Sequence, residues 1–396
     1  MNHQPPLRIG LLVLFTIAAM FSVGATRLPI SNWWKWNDFA HYYTTASEVW
    51  QARNPYQADI GSLYKKFSLS GTVPQATNPP ALALLTAPLA AFPPKTAWLF
   101  WEVLQLMSLC LSVILLARLA GLDWGAAQTA AFALLAFLSY PILSHLRFGQ
   151  AQLFILAIVS CGLSFLSRRS LLGSFLLGFA SSIKLFTAPL VYVSYRAQGI
   201  KGVLVFVFGF FLPFAAFGLI CGAEALCDYV SLAIPNVREG AVKIQGNISF
   251  SFVAYFAMVL HGPLSNSSPE NLKLILALVN VVSIFLLAVV LIQDDRRLSG
   301  EFPLIHSAAL CLVACCAFSP TAWPHYLVLT IPAFLLLVRD EREGRLDTSQ
   351  LYTAYFLVAV TYGIALDVKG WLHLLSAVWG PAALAYLLVL MLRRKA

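Results

Sequence analysis

Charge is what this 396-residue chain has least of: Asp, Glu, Lys and Arg make up 11% of it, and only 17 residues are acids. With 59% hydrophobic residues and a mean hydropathy of +0.77, that scarcity excludes a disordered chain and an ordinary soluble domain alike. There is no Gly-rich phosphate loop, no dinucleotide fingerprint, no nucleophile elbow and no HExxH pair, and no polar stretch is long enough to form a soluble nucleotide-binding domain. The seven cysteines show no metal-ligand spacing; only Cys221 and Cys227, flanking an expected external loop, are placed for a disulfide. No internal repeat is visible, so residues 1–396 read as one domain.

What is abundant is apolar runs, each about 20 residues long, enough to cross a hydrocarbon core of roughly 30 Å as a helix. Only helices and closed barrels satisfy their backbone polar groups in lipid, so the runs predict an all-α polytopic membrane protein. Spans are expected near 7–26, 97–118, 126–145, 148–166, 171–195, 202–222, 272–292, 303–318, 326–338, 351–366 and 371–392, with shorter apolar pieces at 79–92 and 250–262. The first run starts on Arg8 as a signal peptide would, but its length and its weak Val23-Gly24-Ala25 cleavage site predict a retained helix.

Lys184 interrupts the run 171–195. A lysine at the bilayer centre costs about 3 kcal/mol on insertion scales, so a hairpin of two short helices is expected, with Lys184 near the outer surface and 79–92 dipping into the outer face without crossing. The alternative lets 79–92 cross and keeps 171–195 as a single span; both arrangements give about twelve crossings. The net charge of +9 gathers at span ends, in Arg168 and Arg169, Arg196 and Lys201, Arg339, Arg342 and Arg345, and Arg393 to Lys395. That positive-inside pattern points to a cell inner membrane rather than a nucleic-acid partner. It places both termini in the cytoplasm and the long polar stretch 27–78 outside, as the first extracytoplasmic loop.

This loop carries Trp33, Trp34, Trp36, Tyr42, Tyr43, Trp50, Tyr56 and Tyr64. They read either as an interfacial belt or as rings that stack on a sugar or lipid headgroup. A helix lying on the surface is expected from Asn37 to Gln51, with Phe39, Tyr42, Ala46, Val49 and Trp50 sharing a face. Of the acids expected outside, Asp38 stands where the chain leaves the first span, among aromatics that lower the local dielectric; it is a candidate catalytic carboxylate, or else a helix cap worth about 1 kcal/mol. Three further clusters are expected on the same side: Arg147, Gly149 and Gln150; Lys184; and Trp323, Pro324 and His325. Cations and a histidine there suit an anionic lipid phosphate, although Arg147 also reads as a snorkelling side chain.

In order along the chain, Asp38-Phe39 with Tyr42-Tyr43, Asn54-Pro55-Tyr56, Asn78-Pro79-Pro80 leading to Pro88-Leu89, Gly149-Gln150, Ile183-Lys184, Gly246-Asn247 with Ser249, and Ser319-Pro320 with Trp323 and His325 resemble glycosyltransferase family 87 of the GT-C superfamily. The resemblance implies a GT-C-type fold and sugar transfer, with inversion, from a polyprenyl-phosphate donor at the extracytoplasmic face. Mannose is the family's default, and arabinose or another sugar fits the same motifs; the acceptor would be a glycolipid, a glycan or a protein. Asp38 would be the general base. Lys184, His325 and Arg147 would hold the donor phosphate, while Gln150, Asn247, Tyr42, Tyr43 and Trp323 would contact substrate. No cofactor is implied, and a divalent cation is compatible with the mechanism but not required where cations already neutralise the phosphate. Two other classes compete: a transporter or flippase of a lipid-linked saccharide, for which inverted repeats would be expected, and a non-catalytic assembly subunit.

Overall fold

The computed structural model describes residues 35, 38–70, 75–234, 248–249, 269–297, 304–319, 322–359 and 372–393. The expected first span, the piece 250–262, Trp33, Trp34, Trp36, Gly246, Asn247 and Pro320 lie outside the described residues. Among those described, every regular element is helical. In chain order they are α1 (Asp38–Trp50), α2 (Ile60–Lys66), α3 (Pro80–Thr86) with a 3₁₀ turn Ala87–Ala91, α4 (Pro94–Leu119), α5 (Ala126–Phe137), α6 (Tyr140–Phe148), α7 (Gln152–Ser167), and α8 (Leu171–Ile183) with a 3₁₀ turn Leu185–Leu190. There follow α9 (Val191–Cys221), α10 (Ala223–Asp228), α11 (Pro269–Arg297), α12 (Leu304–Phe318) with a 3₁₀ turn Pro324–Thr330, α13 (Ile331–Arg342), α14 (Thr348–Ala359) and α15 (Leu372–Arg393).

Local chemistry sets the boundaries. Asp59 caps α2 by accepting from the Ser62 N–H at 3.1 Å, Ser170 caps α8 by accepting from Leu172 N–H at 3.3 Å, and Pro80 opens α3 where a missing N–H costs nothing. Lys184 is extended (φ −140°, ψ 107°), so the break expected there is present, and α9 kinks at Gly199 between Arg196 and Lys201. Among the described residues three stretches can cross a membrane by length and composition: α4, Leu185–Cys221 and Ala277–Asp294. The bent pair α5 and α6 makes a fourth. Their outer faces carry exposed Leu99, Phe100, Met107, Leu204, Phe208, Phe211, Val281 and Phe285, the surface of a protein solvated by lipid.

The chain divides into two compact units, one of residues 28–115 and 145–240 and the other of 1–27, 116–144 and 241–396. In the first, α8 lies against α7 and α9, and α3 reaches both α8 and α9. The α8–α9 approach is backbone to backbone: a Cβ on Gly178 would sit 2.0 Å from the Phe206 carbonyl oxygen, and one on Gly209 would sit 2.3 Å from that of Phe175. In the second unit α12 is buried from Ile305 to Phe318 and packs on α11, α13 and α15.

One expectation is corrected. The helix at Asp38 exists, but it does not lie on a surface with one face in lipid: every residue from Phe39 to Val49 is buried, and Trp50 alone of its aromatics is exposed. Its polar residues hide by bonding back to the helix, with Thr44 donating to the Ala40 carbonyl, Thr45 to that of His41 and Ser47 to that of Thr44. Tyr42, Tyr43, Tyr56 and Tyr64 are accordingly packed inside the protein, not arrayed as a belt. Cys221 and Cys227, the one pair placed for a disulfide, are free thiols.

Candidate active site

Asp38, half-buried, opens α1 and so stands at the end of a helix held on several sides by α2, α3 and the turn after α3. The loop between α6 and α7 reaches the same end. Gly149 there has φ +62°, and a Cβ on it would lie 2.5 Å from the Cβ of Phe39, the residue after Asp38. Only glycine tolerates both the left-handed backbone and that approach. Trp101, fully buried on α4, donates its indole N–H to the Gly149 carbonyl at 2.8 Å and fixes the turn.

The turn presents Gln150. Its side-chain oxygen accepts from the Lys184 ammonium at 2.9 Å and from the Tyr42 hydroxyl at 3.0 Å, so one amide joins α1 to the break after α8. Lys184 and Asp38 act on each other electrostatically. Burial is the stronger influence on Asp38 and lifts its carboxyl from 3.8 to about 6, with the Lys184 charge opposing. A carboxylate tuned upward beside a fixed cation can take a proton near neutral pH while the cation faces an anion.

One turn along α1, His41 is buried and hydrogen-bonded at both nitrogens, Nδ1 to the Tyr64 hydroxyl (3.1 Å) and Nε2 to the Thr77 side chain (3.1 Å) and N–H (3.2 Å). Desolvation lowers its pKa to about 4, so the ring is neutral in use. Behind Gln150, His145 and Gln105 are fully buried; the Gln105 side-chain oxygen lies 3.1 Å from His145 Nε2 and accepts from the Phe154 N–H at 3.1 Å, tying α4, α6 and the start of α7 together. Sequence reasoning read Tyr64 only as one of the aromatic rings of the first loop, and passed over His41, Trp101, Gln105 and His145. A glutamine inside the apolar run of α4 was the available signal for the last pair, since buried polar side chains in a span need partners.

The remaining expected site residues are placed as follows. Tyr43 donates to the Phe92 carbonyl at 2.8 Å and packs edge-on to Phe67. Arg147 is half-buried, its guanidinium 5.8 Å from the Phe148 ring centroid. Trp323 and His325 belong to the other unit, their rings parallel within 9° at 6.5 Å, and His325 is buried. Beside Trp323, Ile248 N–H donates to the Ala322 carbonyl at 2.6 Å, which brings the segment following Asn247 to the Trp323 turn within that unit. The Asn54-Pro55-Tyr56 motif is a latch: Asn54 and Gln57 both donate to the Asp228 carboxylate, at 2.6 and 2.8 Å, and Tyr56 donates to the Asn78 carbonyl. Among the described residues no three His, Cys, Asp or Glu side chains gather to hold a metal ion.

Compared with known proteins, the chain matches the model of glycosyltransferase family 87 over residues 76–320, more than half its length. The matched stretch includes Gly149-Gln150 and Lys184 and begins downstream of Asp38. No curated protein matches the chain.

Proposed function

The chain belongs to glycosyltransferase family 87, a membrane glycosyltransferase therefore, and we propose that it transfers a sugar, mannose first among candidates, from a polyprenyl-phosphate donor to a lipid or glycan acceptor at the extracytoplasmic face. The proposal includes a GT-C-type fold with about twelve crossings and inversion at the anomeric carbon.

The observation that carries the reading is the convergence of Asp38, Lys184, Gln150 and Tyr42 at one end of α1. In this mechanism an acceptor hydroxyl attacks the anomeric carbon from the face opposite the phosphate. As the new C–O bond forms, the hydroxyl proton passes to Asp38, the bond from the anomeric carbon to the phosphate oxygen breaks, and polyprenyl phosphate leaves with the electron pair. Lys184 binds that phosphate through charge-assisted hydrogen bonds and stabilises the growing negative charge, an effect that is large in a site from which water is excluded. Gln150 holds Lys184 in place while its oxygen is shared with Tyr42. Arg147 and His325 are the further phosphate ligands in this reading, and Trp323, Tyr43 and Asn247 the further substrate contacts.

The test is transfer from radiolabelled polyprenyl-phosphate mannose into a lipid extract by the purified protein, beside Asp38→Asn and Lys184→Ala. Asp38→Asn is expected to lower transfer about a hundredfold or more with protein yield intact. Full activity in that variant would remove the base assignment. Movement of lipid-linked sugar across vesicles without transfer from any donor would favour a transporter.

A further inference from the structure

We infer that His41 and Tyr64 are positioning residues for Asp38: His41 holds the Tyr64 hydroxyl in place, and the segment 60–70 that carries Tyr64 is thereby clamped over one side of the carboxylate. The inference rests on the reading of Asp38 as general base and deepens it.

The segment touches the chain on both sides of Asp38. Upstream, Ser70 N–H donates to the Lys35 carbonyl at 2.7 Å; downstream, the Phe67 ring packs edge-on against Tyr43 with centroids 5.1 Å apart. Between these contacts Tyr64, 5% exposed, meets His41 at 3.1 Å and lies close enough to Asp38 to feel its charge. The direction of the His41 bonds follows from the backbone. Because Thr77 N–H donates to Nε2, that nitrogen carries the lone pair, so Nδ1 carries the hydrogen and donates it to the Tyr64 oxygen. The Thr77 N–H donor at Nε2 and desolvation both hold the ring neutral.

The clamp therefore places no charge beside Asp38. Of the elements packed on α1, α3 and its following turn contribute no ionisable group, and Lys65 and Lys66 of α2 are exposed. Among the described residues the ionisable groups that act with Asp38 are Lys184, across the site, and Tyr64 itself. What the segment supplies is exclusion of water, and a desolvated carboxylate is a stronger base. Loosening the segment admits water and lowers the carboxyl's pKa towards its ordinary value.

The experiment is the pH dependence of kcat/KM for mannosyl transfer by the full-length protein, with variants Tyr64→Phe, His41→Leu and His41→Asn. The wild-type acid limb is expected at about pH 6. Tyr64→Phe and His41→Leu are expected to move it down by about one unit, with a plateau roughly threefold lower, as Brønsted behaviour with an intermediate coefficient gives for a weaker base. The double variant should show no further shift, because both substitutions cut the same bond. Asparagine can still present an N–H near the Nδ1 position, so His41→Asn should keep most of the wild-type profile. A role confined to folding would change yield and melting temperature and leave the acid limb where it was; that result in folded Tyr64→Phe or His41→Leu overturns the inference, as would additive shifts in the double variant. Should His41→Leu fail to fold, Tyr64→Phe set against His41→Asn decides. Activity retained in Asp38→Asn would instead overturn the base reading itself.

Discussion

Asp38 is held under two opposed influences. The protein around it disfavours its charge, while Lys184 favours it, and the outcome is a carboxyl raised to about 6. Because the folded-state value exceeds the ordinary 3.8, the ionised form is the one that folding penalises. The penalty is absent below about pH 4, grows between pH 4 and pH 6, and is complete above that. Asp38→Asn should thus raise the melting temperature at pH 8 relative to wild type while lowering transfer about a hundredfold or more, and the gain should vanish at pH 4, where the wild-type carboxyl is itself neutral. A melting curve in detergent at the two pH values measures this directly. Stability surrendered at a position that chemistry requires is the pattern expected of a functional group, whereas a helix cap would lose stability when replaced. Asp38 and Lys184 were visible in the sequence for one reason: charge is so scarce that each ionisable residue outside a span end calls for an explanation. His41 was not, since a histidine amid Tyr, Thr and Ala looks ordinary until its two nitrogens are seen to join residues from two later parts of the chain.

At the scale of elements, the Gly149 turn decides where α1 can stand. The tripeptide Phe148-Gly149-Gln150 is held from below by Trp101 and pressed against Phe39 from above, so the contact that seats Gln150 over Lys184 also sets the position of the residue following Asp38. Gly149→Ala adds a Cβ 2.5 Å from that of Phe39 at a φ of +62°. The cost expected from strain and overpacking is about 2 kcal/mol, and relief must come from moving either α1 or the turn. Transfer is expected to fall at least tenfold, with more loss in kcat than in KM, because a small displacement of the base affects the reacting geometry more than donor binding. Steady-state kinetics beside a chemical denaturation curve would check both. The break at Lys184 was legible because the cost of an intramembrane lysine forces a choice of geometry. The burial of α1 was not, because periodicity marks one apolar face and cannot register that Thr44, Thr45 and Ser47 satisfy their hydroxyls on the helix itself, or that Glu48 pairs with Arg53 at 2.8 Å.

For the whole molecule the decisive question is which side of the bilayer the site faces, since a polyprenyl-phosphate sugar and a nucleotide sugar are available on opposite sides. The exposed apolar faces of α4, α9 and α11 are those of a membrane protein, and the proposed sidedness rests on the bias of basic residues at span ends. The latch supplies a physical marker. Cys227 is an exposed free thiol next to Asp228, whose carboxylate holds Asn54 and Gln57, so this thiol shares a membrane face with the turn that follows α1. Cys311, Cys315 and Cys316 are buried, and Cys110 lies midway along the lipid-facing helix α4. A membrane-impermeant maleimide applied to intact cells is therefore expected to label the protein chiefly at Cys227, and Cys227→Ser should cut the labelling to what the half-buried Cys221, just before the same helix, contributes. Labelling that appears only after permeabilisation would put the 38–67 segment in the cytoplasm. It would turn the charge assignment around and make a nucleotide sugar the accessible donor. The two outcomes separate cleanly because Asn54 and Gln57 fasten this thiol to the loop through contacts within one compact unit, so its side is the side of that loop.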